Sequence, residues 1–217
     1  LSKKGIAVIE VQYLVNTIKD LTFDNIYHEH YNYWSLTSLK YFFDKLEAKI
    51  FDVEKINTHG GSLRIFVSKD KNININNNVN KVLSEEIIFG IKNFKTYQNF
   101  SKKIQKIKKN VINNISKVKQ YKNIVGFGSP AKATTLLNFY GLNNKLIKFT
   151  IEDNKLKQNK LIPGVDISIK KPVSKKIKSS LLVVLAWNYF KEIKEKNLKY
   201  FNKIISIKDL ENDKLNI

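Results

Sequence analysis

The densest titratable cluster in the sequence is Ile26-Tyr27-His28-Glu29-His30. Imidazole is the side chain whose ordinary pKa lies nearest neutral pH, so such a cluster suits proton transfer. Tyr27 adds a phenol able to donate a hydrogen bond to a developing oxyanion. In an extended segment His28 and His30 would point to one side and Glu29 to the other. That arrangement also admits a metal pair, although no third ligand is obvious. The residues alone leave a general base, a metal pair and a structural loop all open. The third histidine opens a second cluster, Thr58-His59-Gly60-Gly61-Ser62. Paired glycines permit either a sharp turn or close approach of the backbone to a ligand.

A third cluster is Gly126-Phe127-Gly128-Ser129-Pro130-Ala131-Lys132. It follows a strand-like run and opens a helix-like one, with proline placed for the first helical turn. It looks like a dinucleotide-fold phosphate turn with Ala131 in the last glycine's place. Amides at a helix N-terminus bind phosphate readily. Glu152 and Asp153 follow where a ribose-binding acid can sit. A tight strand-to-helix turn without any ligand accounts for the same residues.

Two α/β regions must position these clusters. In the first, residues 5–11 read as a buried strand, 12–19 as a short helix and 20–35 as a loop. Ser35 and Thr37 offer caps for a helix carrying Leu39, Phe42, Phe43 and Leu46. Strands at 49–54 and 62–68 flank the glycine turn, an order that fits the closing half of an α/β domain. The polar stretch 69–80 marks a domain boundary, with a linker at 71–81. Ile91, Phe94, Tyr97, Phe100, Ile104, Ile107, Val111, Ile115 and Val118 then recur at helical spacing, predicting a long helix, broken at most once, to about Tyr121. Strand 124–127, helix 131–140, strand 147–151, a turn at Pro163-Gly164, strand 165–169, strand 181–186, helix 189–198 and strand 203–207 predict a small parallel-sheet βαβ domain.

Composition narrows the partners. The chain has 217 residues, enough for a substantial core, and no cysteine, which excludes disulfides and cysteine-ligated zinc within it. It also has no methionine, so it is expected to be a fragment that begins inside a larger reading frame. The longest apolar run, Leu181 to Trp187, is too short to span a bilayer. The formal net charge is +20, yet Arg64 is the lone arginine and the lysines are spread along the chain. This pattern predicts a solvated lysine surface, not a nucleic-acid footprint, and would still attract an anionic nucleotide diphosphate. A cytoplasmic protein with no nucleic-acid or membrane partner is expected; the oligomeric state is left open.

The clusters occur in order with further runs: Phe23-Asp24-Asn25 before Ile26, Leu63-Arg64 after Ser62, Lys157-Gln158, Leu161-Ile162-Pro163-Gly164 and Ala186-Trp187-Asn188. Together they resemble the S-adenosylmethionine-dependent sugar C-methyltransferase family that makes branched deoxysugars, along the chain to about residue 207. The resemblance implies a cysteine-rich zinc domain, a central donor-binding Rossmann-like domain and a C-terminal Rossmann-like domain, with a nucleotide-diphosphate ketosugar between the last two. On this mapping residues 1–70 end the methyltransferase domain, 71–81 are a linker, 82–210 are the C-terminal domain and 211–217 a tail. Zinc and most of the donor site would lie outside this chain, which alone would be inactive. The implied reaction deprotonates the carbon next to the ketone and methylates the enolate. His30 is then the base, Tyr27 its hydroxyl partner, and Glu29 orients an imidazole. His28, His59, Gly60, Gly61, Gly126, Gly128, Ser129, Lys132 and Asn188 would contact substrate, with no metal in the site. Asn159 and Ala186 depart from the expected glycine and proline. A non-catalytic sugar-nucleotide module and, from Gly126-x-Gly128, an NAD-dependent oxidoreductase are the alternatives.

Overall fold

The computed structural model describes residues 1–217 except Lys3, His59, Asn216 and Ile217. The chain forms two compact units: Leu1–Phe23 with His28–Lys103, and Asp24–Tyr27 with Ile104–Ile217.

The first unit holds a three-stranded antiparallel sheet in the order β1 (Ile6–Gln12), β3 (Ser62–Ser68), β2 (Lys49–Ile56). Because β3 is antiparallel to both neighbours, β1 and β2 run the same way. The chain between them passes through α1 (Leu14–Lys19) and α2 (Leu36–Lys45). Leu63, Ile65 and Val67 alternate along β3 and are fully buried, packed with Leu36, Leu39, Val79 and Val82. Burying each such side chain stabilises the fold by about 1.5–3 kcal/mol. The expected cap at Ser35 is present: its Oγ accepts Ser38 N–H at 3.1 Å.

Helix α3 (Asn77–Phe89) starts inside the polar stretch read as a linker. Asn76 caps it by accepting Asn78 N–H at 3.1 Å. Its buried Glu86 accepts Leu36 N–H at 2.6 Å, Thr37 N–H at 2.8 Å and the Thr37 hydroxyl at 2.6 Å. Burial, with the Glu86 carboxylate beside it, pushes the Tyr13 hydroxyl pKa far above its ordinary value. Gly90, at φ 78°, ends α3, and the amphipathic α4 (Phe94–Val118) follows.

The second unit is an α/β layer with sheet order β6-β7-β5-β4-β8-β9. Its strands are β4 (Asn123–Phe127), β5 (Thr150–Ile151), β6 (Leu161–Ile162), β7 (Ile167–Lys170), β8 (Ser180–Val184) and β9 (Lys203–Ser206). Five strands are parallel, but β6 pairs antiparallel with β7. The sheet is therefore mixed rather than wholly parallel. The Pro163-Gly164 turn sends the chain straight back as a short hairpin, which favours antiparallel pairing. Helix α5 (Ala131–Tyr140) links β4 to β5, and α6 (Phe190–Asn197) links β8 to β9. Strand β4 lies between β5 and β8, so successive connections leave it in opposite directions. The carboxyl ends of β4 and β8 thus flank a topological switch point, the usual ligand position in such sheets.

Candidate functional site

The switch point is built by the loops that follow β4 and β8. Gly128 adopts φ +87°, and a Cβ added there would stand 2.8 Å from Ala186 Cβ. Leu185 N–H donates to Phe127 O at 2.9 Å, so the two loops lie directly against each other. A Cβ at Gly126 would lie 2.5 Å from Thr150 Cγ2. Both glycines are thus required by packing, whatever binds nearby. Asn188 is exposed in the loop after β8.

The turn after Gly128 carries its own anion. Glu152 Oε2, at the end of β5, accepts Ser129 N–H at 2.9 Å and the Ser129 hydroxyl at 2.6 Å. Its other oxygen accepts Asn154 N–H at 3.1 Å, and Lys157 Nζ donates to Ser129 O at 3.0 Å. Burial pushes the Glu152 carboxyl pKa up. The Ser129 hydroxyl, the Asn154 and Ser129 amides and Lys157 outweigh it, and hold the carboxyl below its ordinary value. The donors that a phosphate turn would offer through Ser129 are therefore taken by a carboxylate of the same chain.

A buried polar network lies in the same unit. Trp187 Nε1–H donates to Asp24 Oδ2 at 2.7 Å, and Asp24 is fully buried. Lys132 Nζ stands 5.4 Å, and Lys208 Nζ 5.2 Å, from the centre of the Trp187 ring. Lys208 pairs with Glu211 at 2.9 Å, and the Tyr140 hydroxyl donates to Glu211 at 2.6 Å. Burial lowers the Lys132 pKa; Asp24 opposes this and Lys208 adds to it. Burial raises the Glu211 pKa, with Lys208 and Tyr140 opposing. Lys132 Nζ is sealed from solvent and has no hydrogen-bond partner among the described residues. It is placed as a buried charge, not as a side chain reaching into solvent.

The second unit brings Tyr27, Gly126, Gly128, Ser129, Lys132 and Asn188 together in one body. His28, Glu29, His30, Gly60 and Gly61 belong to the first. There the chain turns at His28-Glu29, so the alternation expected of an extended segment does not hold. His28 and Glu29 are exposed, with His28 Nε2 4.0 Å from Glu29 Oε1, and His30 is half-buried. Gly60 and Gly61 have φ +91° and +106°, and a Cβ on Gly61 would meet Asn16 Cγ at 2.5 Å. His59, expected to contact substrate, lies outside the described residues. A cavity of about 640 Å³ in the first unit is lined by Thr37, Lys40, Tyr41, Asp44, Leu83 and Ile91 among others, and by none of the expected site residues. Among the described residues no three His, Cys, Asp or Glu side chains group to hold a metal, and no helix is long and apolar enough to cross a membrane.

Reading the sequence by motif missed Lys208 and Glu211 and gave Asp24 no role. Asp24 stood in the run Phe23-Asp24-Asn25 without a role of its own, because its partner Trp187 is distant in sequence.

Residues 57–206 match the C-methyltransferase C-terminal domain. C-methyltransferase NovU of Streptomyces niveus is 32% identical over 196 residues, which cover 89% of this chain and 47% of NovU. The chain thus spans about half the length of that relative. A match over most of its length, agreeing with the parallel-sheet unit and its strand-turn-helix, places the chain in the C-methyltransferase C-terminal domain family.

Proposed function

We propose that this chain works within a full-length C-methyltransferase that methylates a carbon of a nucleotide-linked 4-ketosugar, with S-adenosylmethionine as the methyl-donating substrate. In this reading residues 1–70 complete the donor-binding, Rossmann-like domain, and 82–210 form the Rossmann-like domain that holds the nucleotide sugar. His30 imidazole takes the proton from C3, and the C–H electron pair becomes the enolate. Tyr27 donates a hydrogen bond to the enolate oxygen, and Glu29 orients the imidazole. The enolate carbon then forms a bond to the methyl group as the carbon–sulfur bond breaks toward sulfur. A carbon acid needs such a base and oxyanion donor together, because the neutral ketone is not nucleophilic at carbon. His28, His59, Gly60, Gly61 and Asn188 are the proposed substrate contacts. The bonds of Ser129 to Glu152 weigh against a dinucleotide pyrophosphate at this turn, and so against the oxidoreductase alternative.

The observation that carries this reading is the place of Tyr27. It precedes the matched stretch in sequence, yet is built into the same compact unit as the strand-turn-helix of that stretch. The test follows deuterium exchange at C3 of a nucleotide-linked 4-ketosugar in D₂O by NMR, with S-adenosylhomocysteine present. Full-length wild type should accelerate exchange, and His30→Asn in the same full-length protein should lose about 10²–10⁴-fold. Exchange at the wild-type rate in His30→Asn would remove His30 from the role.

A further inference from the structure

We infer that Asp24 and Trp187 are positioning residues, whose hydrogen bond holds the turn bearing Tyr27 on the C-terminal unit. The inference rests on the reading of Tyr27 as the enolate's hydrogen-bond donor.

Residues 24–27 form a short piece of chain in which Asp24 and Asn25 are buried. The 3-10 turn Phe23–Asn25 ends just before Ile26, which is 48% exposed. Thr135 Oγ1 reaches Ile26 O only at 3.4 Å, and Tyr27 N–H donates locally to Asn25 O at 3.2 Å. The Asp24–Trp187 bond, at 2.7 Å, is much shorter than the Thr135 contact and joins residues far apart in sequence. A hydrogen bond to a carboxylate in a buried setting is roughly twice as strong as a neutral one.

Trp187 is well suited to be the fixed end. Its indole sits in the loop after β8, at the switch point, with Lys132 from α5 and Lys208 both against the ring. Lys208 is in turn held by Glu211, and Glu211 by Tyr140. This chain of contacts ties the ring to α5 and to the turn after β9. Asp24 is the other end. It is fully buried, and its Oδ1 has no hydrogen-bond partner among the described residues. A buried carboxylate with one unsatisfied oxygen is costly to keep for packing alone. It is explained if the bond through Oδ2 fixes a backbone position. Lys132, read from sequence as a substrate contact, then serves as positive charge near Asp24.

The test compares Trp187→Phe, which keeps a ring and removes the donor, with Asp24→Leu and Asp24→Asn, which retains an acceptor oxygen. The first readout is hydrogen exchange of the amides of residues 24–27 in the whole protein. Trp187→Phe and Asp24→Leu should speed it about 10-fold or more, leaving the amides of β4 and β8 as in wild type. Asp24→Asn should largely restore wild-type exchange. Unchanged exchange at 24–27 overturns the inference, as does equal acceleration in β4 and β8, which would mark a general core role. The second readout is C3 deuterium exchange of the ketosugar. Trp187→Phe should lower kcat with KM within about threefold of wild type. Because Trp187 acts through Tyr27, Tyr27→Phe/Trp187→Phe should be no slower than Tyr27→Phe alone. Additive losses overturn the positioning role. If the full-length wild type itself fails to exchange C3, the proposed reaction is wrong, and the amide readout alone decides whether Asp24 and Trp187 anchor the turn.

Discussion

Replacing Glu86 by alanine should destabilise the first unit by about 2–5 kcal/mol, with the loss centred on the start of α2. The carboxylate is fully buried and accepts Leu36 N–H, Thr37 N–H and the Thr37 hydroxyl at 2.6–2.8 Å. Leu36 and Thr37 open α2, where helix geometry leaves amides without partners inside the helix. Ser35 already serves Ser38 N–H, so it is not available to replace Glu86. Alanine strands two amides, at about 1–3 kcal/mol each, or about 2–6 kcal/mol together. Loss of a negative charge at a helix N-terminus adds about 0.3–1 kcal/mol. Release of a carboxylate from a buried site returns part of this, which sets the net figure. The effect is large against a typical domain stability of about 5–15 kcal/mol. Glu86→Gln keeps the volume but turns one acceptor into a donor facing a donor, so it should cost nearly as much. Urea unfolding followed by circular dichroism measures the loss, and amide exchange at residues 36–39 locates it. A change below about 0.5 kcal/mol in Glu86→Ala, or wild-type behaviour in Glu86→Gln, would show that the cap is not holding α2.

Gly128→Ala should cost about 2–5 kcal/mol in urea melts. The positive φ contributes about 1–2 and crowding against Ala186 about 1–3. Adding Ala186→Gly should recover the crowding part only, and a neutral Gly128→Ala would refute the packing role. The Glu152 carboxyl is depressed in the folded state, so its stabilisation is present above its unfolded pKa of about 4.3 and is lost as pH falls through the lower folded value. Wild type should therefore lose stability more steeply than Glu152→Gln below about pH 5; parallel urea-midpoint curves against pH would refute the Glu152–Ser129 bond as the cause.

Much of the fold was legible because burial imposes a period. Leu63, Ile65 and Val67 alternate as a half-buried strand must, and the apolar residues of α4 recur every three or four positions. The motifs around Tyr27, Gly60 and Gly126 placed the chain among C-methyltransferases before any geometry, because order and residue type survive without coordinates. Helix α3 was hidden, since asparagines are poor helix formers. Val79, Val82 and Glu86 make it a helix only by docking on the sheet and on α2. The two-residue strand β6 was hidden because it is too short to show a period and exists through pairing with β7. The role of the 126–132 turn also depended on tertiary structure. Sequence shows a glycine pair and a later acid. Only folding brings Glu152 onto Ser129, so that the acid occupies the turn. In the same way Asp24 and Trp187 stand in two separate sequence motifs, and only folding pairs them at the sheet's carboxyl edge, because a hydrogen bond between distant positions leaves no local pattern to read.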